Sequence, residues 1–173
     1  VDDYLLRALV LHKRGRNAFG EAEATNALGI GYLRLGQTAD AQEQYQRALE
    51  LRHSLNDRRG MAVTLRNLAQ VATFRGRNQE AEDLLTEARI LYRELGDQTG
   101  LGAIERQLGL IAEERGDYSA ALEAYRRVLR ALDQSGDTHD RAESLNDIGF
   151  AHYQLGDYDS AQVFWLQARE AFE

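Results

Sequence analysis

Asn26, Arg66, Arg106 and Asn146 stand forty residues apart, and Asn67 and Gln107 each follow one of the two arginines. An amide donates and accepts at once, so Asn67 or Asn146 can hold a peptide backbone whatever its sequence. A guanidinium forms paired hydrogen bonds with a carboxylate or phosphate, which suits Arg66 and Arg106 to an acidic ligand. This is the chemistry of binding.

The chemistry of turnover finds no comparable set. His12, His53, His139 and His152 are scattered, with no partner at metal-ligand spacing. His139-Asp140 reads as a solvated junction at a turn. Carboxylates such as Glu113 and Glu114 are abundant, but an acid–base pair also needs a shaped pocket. The chain has no cysteine, which removes thiolate nucleophiles, disulfides and Cys-ligated zinc. The phosphate-cradling loop G-x-x-x-x-G-K-[ST], the H-E-x-x-H helix and the G-x-S-x-G elbow are all missing. Gly29-Ile30-Gly31 could open a dinucleotide fingerprint, but it lies inside an expected helix and follows no strand, so it reads as close helix packing. The expectation is no enzyme, no catalytic residue, no cofactor and no metal.

The elements that carry these residues follow from composition and periodicity. At 173 residues, 43% hydrophobic and 28% charged, the chain suits one folded domain or a short array. It carries no proline, where an average chain of this length has roughly nine. Proline breaks helix interiors, so its absence suits a chain that is helical nearly throughout. The net charge of −7 argues against a nucleic-acid surface, and no apolar run approaches the ~20 residues of a membrane span. The lack of cysteine favours a reducing, cytoplasmic setting. Val1 suggests that an earlier N-terminus is missing, and Lys13, the one lysine among 21 basic residues, suggests a GC-rich bacterial source.

Twelve of the 15 glycines fall in columns forty residues apart. Gly20, Gly60 and Gly100 form one column; Gly36, Gly76, Gly116 and Gly156 another; Gly29, Gly109 and Gly149 a third; Gly96 and Gly136 a fourth. Ala41, Ala81, Ala121 and Ala161 keep the same interval, as do Leu28, Leu68, Leu108 and Ile148. Tyr45, Leu85, Tyr125 and Trp165 form a bulky column, and Ala48, Ala88, Val128 and Ala168 a small one. A fixed period of this size marks stacked units that bury one another's apolar faces.

Each unit holds two helices, separated by glycine breaks. First helices are expected at 20–35, 60–75, 100–115 and 140–155, and second helices at 38–55, 78–95, 118–135 and 158–173. Asp117 and Asp157 are placed to cap the helices that follow them. The units run 20–59, 60–99, 100–139 and 140–173, the last truncated. Residues 1–19 align with the second helix of a truncated unit, as if the chain were cut from a longer array.

Leu28-Gly29, Tyr32, Ala41, Tyr45 and Ala48 resemble the tetratricopeptide repeat, with Leu-Gly and an aromatic in the first helix and Ala, aromatic, Ala in the second. Leu108-Gly109, Ala112, Ala121, Tyr125 and Val128 resemble it with one enlargement, and Ile148-Gly149, His152, Ala161, Trp165 and Ala168 closely. The second unit departs most, with Ala69, Ala72 and Leu85. The period is 40 where the family's is usually 34, and His53, Arg93 and Asp133 stand where a proline is usual. This longer form is similar to repeats of kinesin light chain, of Leu-Gly-Asn adaptors and of bacterial peptide-sensing and transcription regulators. The resemblance implies an all-α, right-handed superhelical solenoid of antiparallel hairpins, whose first helices line a concave groove for an extended peptide or a partner helix.

By the same resemblance Asn26, Arg66, Asn67, Gln70, Arg106, Gln107 and Asn146 face the groove and bind an extended segment bearing an acidic group. Phe74, Phe150 and Tyr153 add apolar contacts. The alternative reading pairs Arg66 and Arg106 with acids such as Glu105, Glu113 or Glu143. The leading expectation is thus a non-catalytic protein- or peptide-binding scaffold within a larger bacterial regulatory or signalling protein. The runner-up is self-association through repeat ends, because Phe164, Trp165 and Phe172 crowd the last helix, where a cap should be polar. A small effector bound inside the superhelix is a third possibility that no residue favours.

Overall fold

The computed structural model describes the backbone of residues 3–132 and 138–172, and the side chains of 4–132 and 141–171. Among these residues every regular element is a helix: α1 (Asp3–Arg14), α2 (Ala18–Arg34), α3 (Thr38–Ser54), α4 (Arg58–Phe74), α5 (Asn78–Glu94), α6 (Gln98–Glu114), α7 (Tyr118–Leu132), α8 (Thr138–Gln154) and α9 (Tyr158–Phe172). They divide into two compact units, residues 1–95 and 96–173. In the first, α2 packs on α3 and α4 on α5 as hairpins, α3 packs on α4, and α1 lies against α2. In the second, α6 pairs with α7 and α8 with α9, while α7 packs on α8.

The glycine columns do two different jobs. Gly36, Gly76, Gly96, Gly116 and Gly156 have φ between 65° and 81°, the left-handed conformation that ends a helix. At the first of them the Gly36 N–H donates to Leu33 O and the Gln37 N–H to Tyr32 O, both at 2.9 Å, closing the last turn of α2. Gly20, Gly60 and Gly100, expected at the breaks, instead lie inside the first turns of α2, α4 and α6, which begin two residues earlier than expected. Their N–H groups donate to the side chains of Asn17, Asp57 and Asp97, each at 2.9 Å, so the caps stand three residues upstream. A Cβ at Gly60 would collide with Asp57 and with Arg52 from the preceding helix. The Asp117 and Asp157 caps stand as expected, accepting from Ala120 N at 3.0 Å and Ser160 N at 3.1 Å. Gly136 and the end of the third second helix lie outside the described residues.

The hairpins close by seating a ring over a glycine. A Cβ built on Gly29 would lie 2.6 Å from the Tyr45 ring, and one on Gly149 2.6 Å from Trp165; Gly109 meets Tyr125 in the same way. Tyr45 and Tyr125 are fully buried. Where Ala69 replaces the glycine, Leu85 replaces the ring, so the added methyl is offset by the lost aromatic volume. Beneath α4, Arg52 is buried at 2% exposure. Its guanidinium donates to Gly60 O at 2.7 Å and to Thr64 Oγ1, and pairs with Glu23 and, at 3.7 Å, with Asp57.

Candidate functional site

In the first unit α2 and α4 lie side by side; α2 carries Asn26, and α4 carries Arg66, Asn67, Gln70 and Phe74. Asn26 and Asn67 are buried there, and the Asn67 amide donates to Asn26 Oδ1 at 3.2 Å. One donor of Asn67 and one acceptor site of Asn26 are thus spent on each other. Arg66 is half-buried and makes no hydrogen bond or ion pair among the described residues. The Tyr45 hydroxyl comes up from α3 near both Arg66 and Arg34. Burial raises that phenol to about 12, and the two guanidinium groups pull it back. Gln70 is exposed, and Phe74 ends α4 with its ring 67% exposed.

The second unit carries different chemistry at corresponding places. Arg106 from α6 reaches α8, where it pairs with Glu143 and, at 3.3 Å from Nε, with Asp147 Oδ2. Residues 26 and 67 are 41 apart, as are 106 and 147, so the neutral amide pair of the first unit is an ion pair in the second. The pairing of Arg106 with Glu143 follows the alternative reading; Glu105 instead takes Arg127 at 2.6 Å. Beneath this pair the ring of Tyr125 sits between α6 and α8, against Gly109, Ala112 and Ile148. Burial pushes the Glu113 carboxyl up, and the neighbouring Asp147 adds to the shift, while the Tyr125 hydroxyl opposes it. Burial also raises Asp147; Arg106 counters that, and Glu143 reinforces it.

Further along this unit, Gln107 is half-buried and its Oε1 accepts no hydrogen bond among the described residues. Asn146 is exposed. Phe150 meets Tyr118 edge-on at 6.5 Å, and Tyr153 lies against Tyr158 at 5.4 Å and Trp165 at 5.9 Å. His152 is buried, stacks on Phe164 at 5.4 Å and shares a 3.0 Å hydrogen bond with Asp157. Trp165 is 38% exposed, whereas the tyrosines of its column are covered. The Phe172 side chain lies outside the described residues. No group of three His, Asp or Glu able to hold a metal was found among the described residues, and none of their helices is long and apolar enough to cross a membrane.

Sequence reasoning missed Glu113, Asp147 and Tyr125 as neighbours. The 41-residue offset between Asn26 and Asn67, repeated by Arg106 and Asp147, was the available signal.

Within each unit, helical hairpins backed by rings rising from the second helices mark a repeat array, and the comparisons define which. Family models of the tetratricopeptide repeat match residues 22–54, 60–134 and 103–173, and the chain belongs to that family. Its fold is an all-α helical-repeat solenoid.

Particular structures share it. BtubC (BKLC) from P. vanneervenii superposes with a TM-score of 0.80 at 20% identity, over 90% of this chain and 64% of that one. The TPR-like repeats of a kinesin light chain from Podosopora anserina give 0.73 at 17%, over 96% and 82%. A signal transduction ATPase with a tetratricopeptide repeat sensor from Pyrococcus horikoshii gives 0.79 at 19%, over 90% and 24%. The chain therefore spans about two-thirds of BtubC and a quarter of the ATPase, and at these identities the likeness is one of fold. No match was found among curated proteins. Repeats of this family are typically non-catalytic protein-interaction modules, and the fold of this chain is consistent with such a scaffold.

Proposed function

We propose that the chain is a non-catalytic scaffold whose first helices bind an extended or helical protein segment, as the docking or sensory part of a larger bacterial regulatory, signalling or transcription-regulating protein in the cytoplasm. The sensor array of the Pyrococcus horikoshii ATPase supports that kind of role. The observation that carries the reading is Arg66, a half-buried guanidinium with no ion pair among the described residues, flanked by Arg34 over the Tyr45 hydroxyl. A partly desolvated guanidinium without a counter-charge is a place for a ligand carboxylate. Gln70 supplies backbone hydrogen bonds and Phe74 an apolar contact; Asn26 and Asn67 fix the floor. In the second unit, taken by itself, Gln107, Asn146, Phe150 and Tyr153 are the binding residues of α6 and α8, and Arg106 supports them through the pair it makes with Asp147. Random peptide display on the wild-type chain and on Arg66→Ala tests this. Selected peptides should be enriched in Asp and Glu on the wild type, and that enrichment should vanish on the variant. Equal acidic content on both refutes the role of Arg66.

Self-association is the second reading, favoured by apolar side chains exposed on α9 (Val163, Trp165 and Leu166) and on α1 (Tyr4, Val10 and Leu11). Light scattering across a concentration series should then show growth beyond the monomer mass, reversed by Val163→Asp with Leu166→Asp. A monomer throughout refutes it.

A further inference from the structure

Two guanidinium groups of the first unit converge on one neutral oxygen. Gln42 Oε1, on α3, accepts from Arg75 Nη1 at the C-cap of α4 and, at 3.2 Å, from Arg77 Nη2 at the N-cap of α5. Arg75 Nε donates to Thr38 Oγ1, in the first turn of α3, at 3.1 Å. Arg77 Nη1 pairs with Glu80 at 2.8 Å, but no carboxylate meets Arg75 among the described residues. Like charges held this close repel, and an amide and a hydroxyl do not neutralise them. Thr38, Gln42, Arg75 and Arg77 are all half-buried, so the cluster is partly shielded from water yet within reach of a ligand.

The helix ends add to the imbalance. Gln37 and Arg77 stand at the N-caps of α3 and α5, and neither side chain caps its helix. At the same places in later repeats Asp117 and Asp157 do cap theirs. Forty residues on from Gln42 and Arg75 stand Glu82 and Arg115, and Ala120 replaces Glu80. Gln42, Arg75, Arg77 and Glu80 together carry +1, whereas Glu82, Arg115, Asp117 and Ala120 carry −1. The repeat thus admits an acid where Gln42 stands and another where Arg77 stands, and the positive set is not a demand of its packing.

We propose that Arg75, Arg77 and Thr38 form a subsite for a dianionic phosphate ester. The Nη2 group of Arg75 makes no hydrogen bond among the described residues and is free to donate. The Arg77 fork stands beside it, and the Thr38 hydroxyl, which accepts from Arg75, keeps its own proton to give. Planar guanidinium forks match phosphate oxygens, and the positive end of α3 favours the same charge. A phosphate ester sets two negative charges against the two cations, where a carboxylate sets one. Arg75 lies nine residues beyond Arg66, about half a turn round α4, so this subsite does not depend on the reading of Arg66.

The test is an amide-resolved NMR titration of the whole chain at fixed ionic strength and about pH 7.5, where phosphate is mostly dianionic. The probes are N-acetyl-phosphoserine N′-methylamide, inorganic phosphate and acetate. Both phosphates should shift amides at the start of α3 and in the turn from Arg75 to Asn78 saturably, and acetate should bind more weakly. Arg75→Gln should weaken the phosphates about tenfold, the effect of losing one charge-assisted contact. Gln42→Glu installs the residue that the next repeat carries and should abolish binding by supplying the missing charge from within. Phosphate should accordingly raise the thermal midpoint of the wild type and leave that of Gln42→Glu unmoved. Tighter binding of the phosphoserine probe assigns the subsite to a modified segment, and equal affinity assigns it to free phosphate compounds; both sustain the proposal. Absence of saturable shifts, acetate binding as tightly as phosphate, or a midpoint raised equally in Gln42→Glu overturns it.

Discussion

Replacing Gly29 by alanine isolates the contact that closes the first hairpin. The new Cβ would lie 2.6 Å from Cε1 and 2.7 Å from Cδ1 of Tyr45, a ring only 1% exposed and therefore with little room to yield. Overpacking of this kind costs about 1–3 kcal/mol, and so short an approach belongs at the upper end. Alanine returns about 1 kcal/mol of helix propensity, leaving a net loss of about 2 kcal/mol. Tyr45→Leu alone removes buried ring and leaves a void, again costing about 2 kcal/mol. Together the two changes reproduce Ala69 and Leu85, which the chain already uses one repeat later. The added methyl then occupies space the ring has vacated, so the double variant should cost less than the sum by about 1–2 kcal/mol. Urea unfolding followed by circular dichroism measures all four corners of the cycle. Losses that add to within about 0.5 kcal/mol would refute the ring-over-glycine account.

Three further perturbations test other parts of the structure. Arg52→Met leaves Glu23 and Asp57 without their cation and removes the guanidinium bonds to Gly60 O and Thr64 Oγ1; a loss of about 3 kcal/mol in unfolding free energy is expected, and an unchanged urea midpoint would contradict it. Gly76→Ala forces a Cβ into a residue at φ 69° and should cost about 1 kcal/mol, with Gly76→Asn milder because asparagine tolerates that region, as Asn56 does at φ 53°. The third concerns pH: Glu113 and Asp147 titrate above their own ordinary values when folded, so the stability they contribute is complete below those ordinary values and is lost as pH rises through the raised ones. Glu113→Gln should therefore flatten the fall in urea midpoint from acid to neutral pH, and a slope equal to wild type would exclude Glu113 as its source.

Much of this fold is legible because the residues that close each hairpin are the ones that repeat. Gly29 with Tyr45, Gly109 with Tyr125 and Gly149 with Trp165 announce a close approach, and the helix ends just before Gly36, Gly76, Gly116 and Gly156 are equally plain. Other columns hide their role by changing chemistry. His12, Arg52, Tyr92 and Leu132 share a register; Arg52 and Tyr92 are each 2% exposed and Leu132 7%, yet their types suggest no common buried position. Arg16 and Asn56 adopt the left-handed conformation of Gly96 without being glycine. Gly20, Gly60 and Gly100 read as breaks because the cap partners, Asn17, Asp57 and Asp97, stand three places earlier and vary in type. The candidate site is harder still. Register put Asn26, Arg66 and Arg106 in one column, but which residue of the next first helix each one meets is a matter of helix packing. That packing joins Asn26 to Asn67 and Arg106 to Asp147.

Those two pairs carry one further consequence. An amide bonded to an amide bears no net charge, so dissolved ions leave the Asn26–Asn67 link nearly untouched. The Arg106–Asp147 link, partly open to water, weakens as counterions crowd around it. One chain thus joins its neighbouring first helices by two fasteners with opposite sensitivities. A rise in ionic strength will loosen the α6–α8 contact while that between α2 and α4 holds.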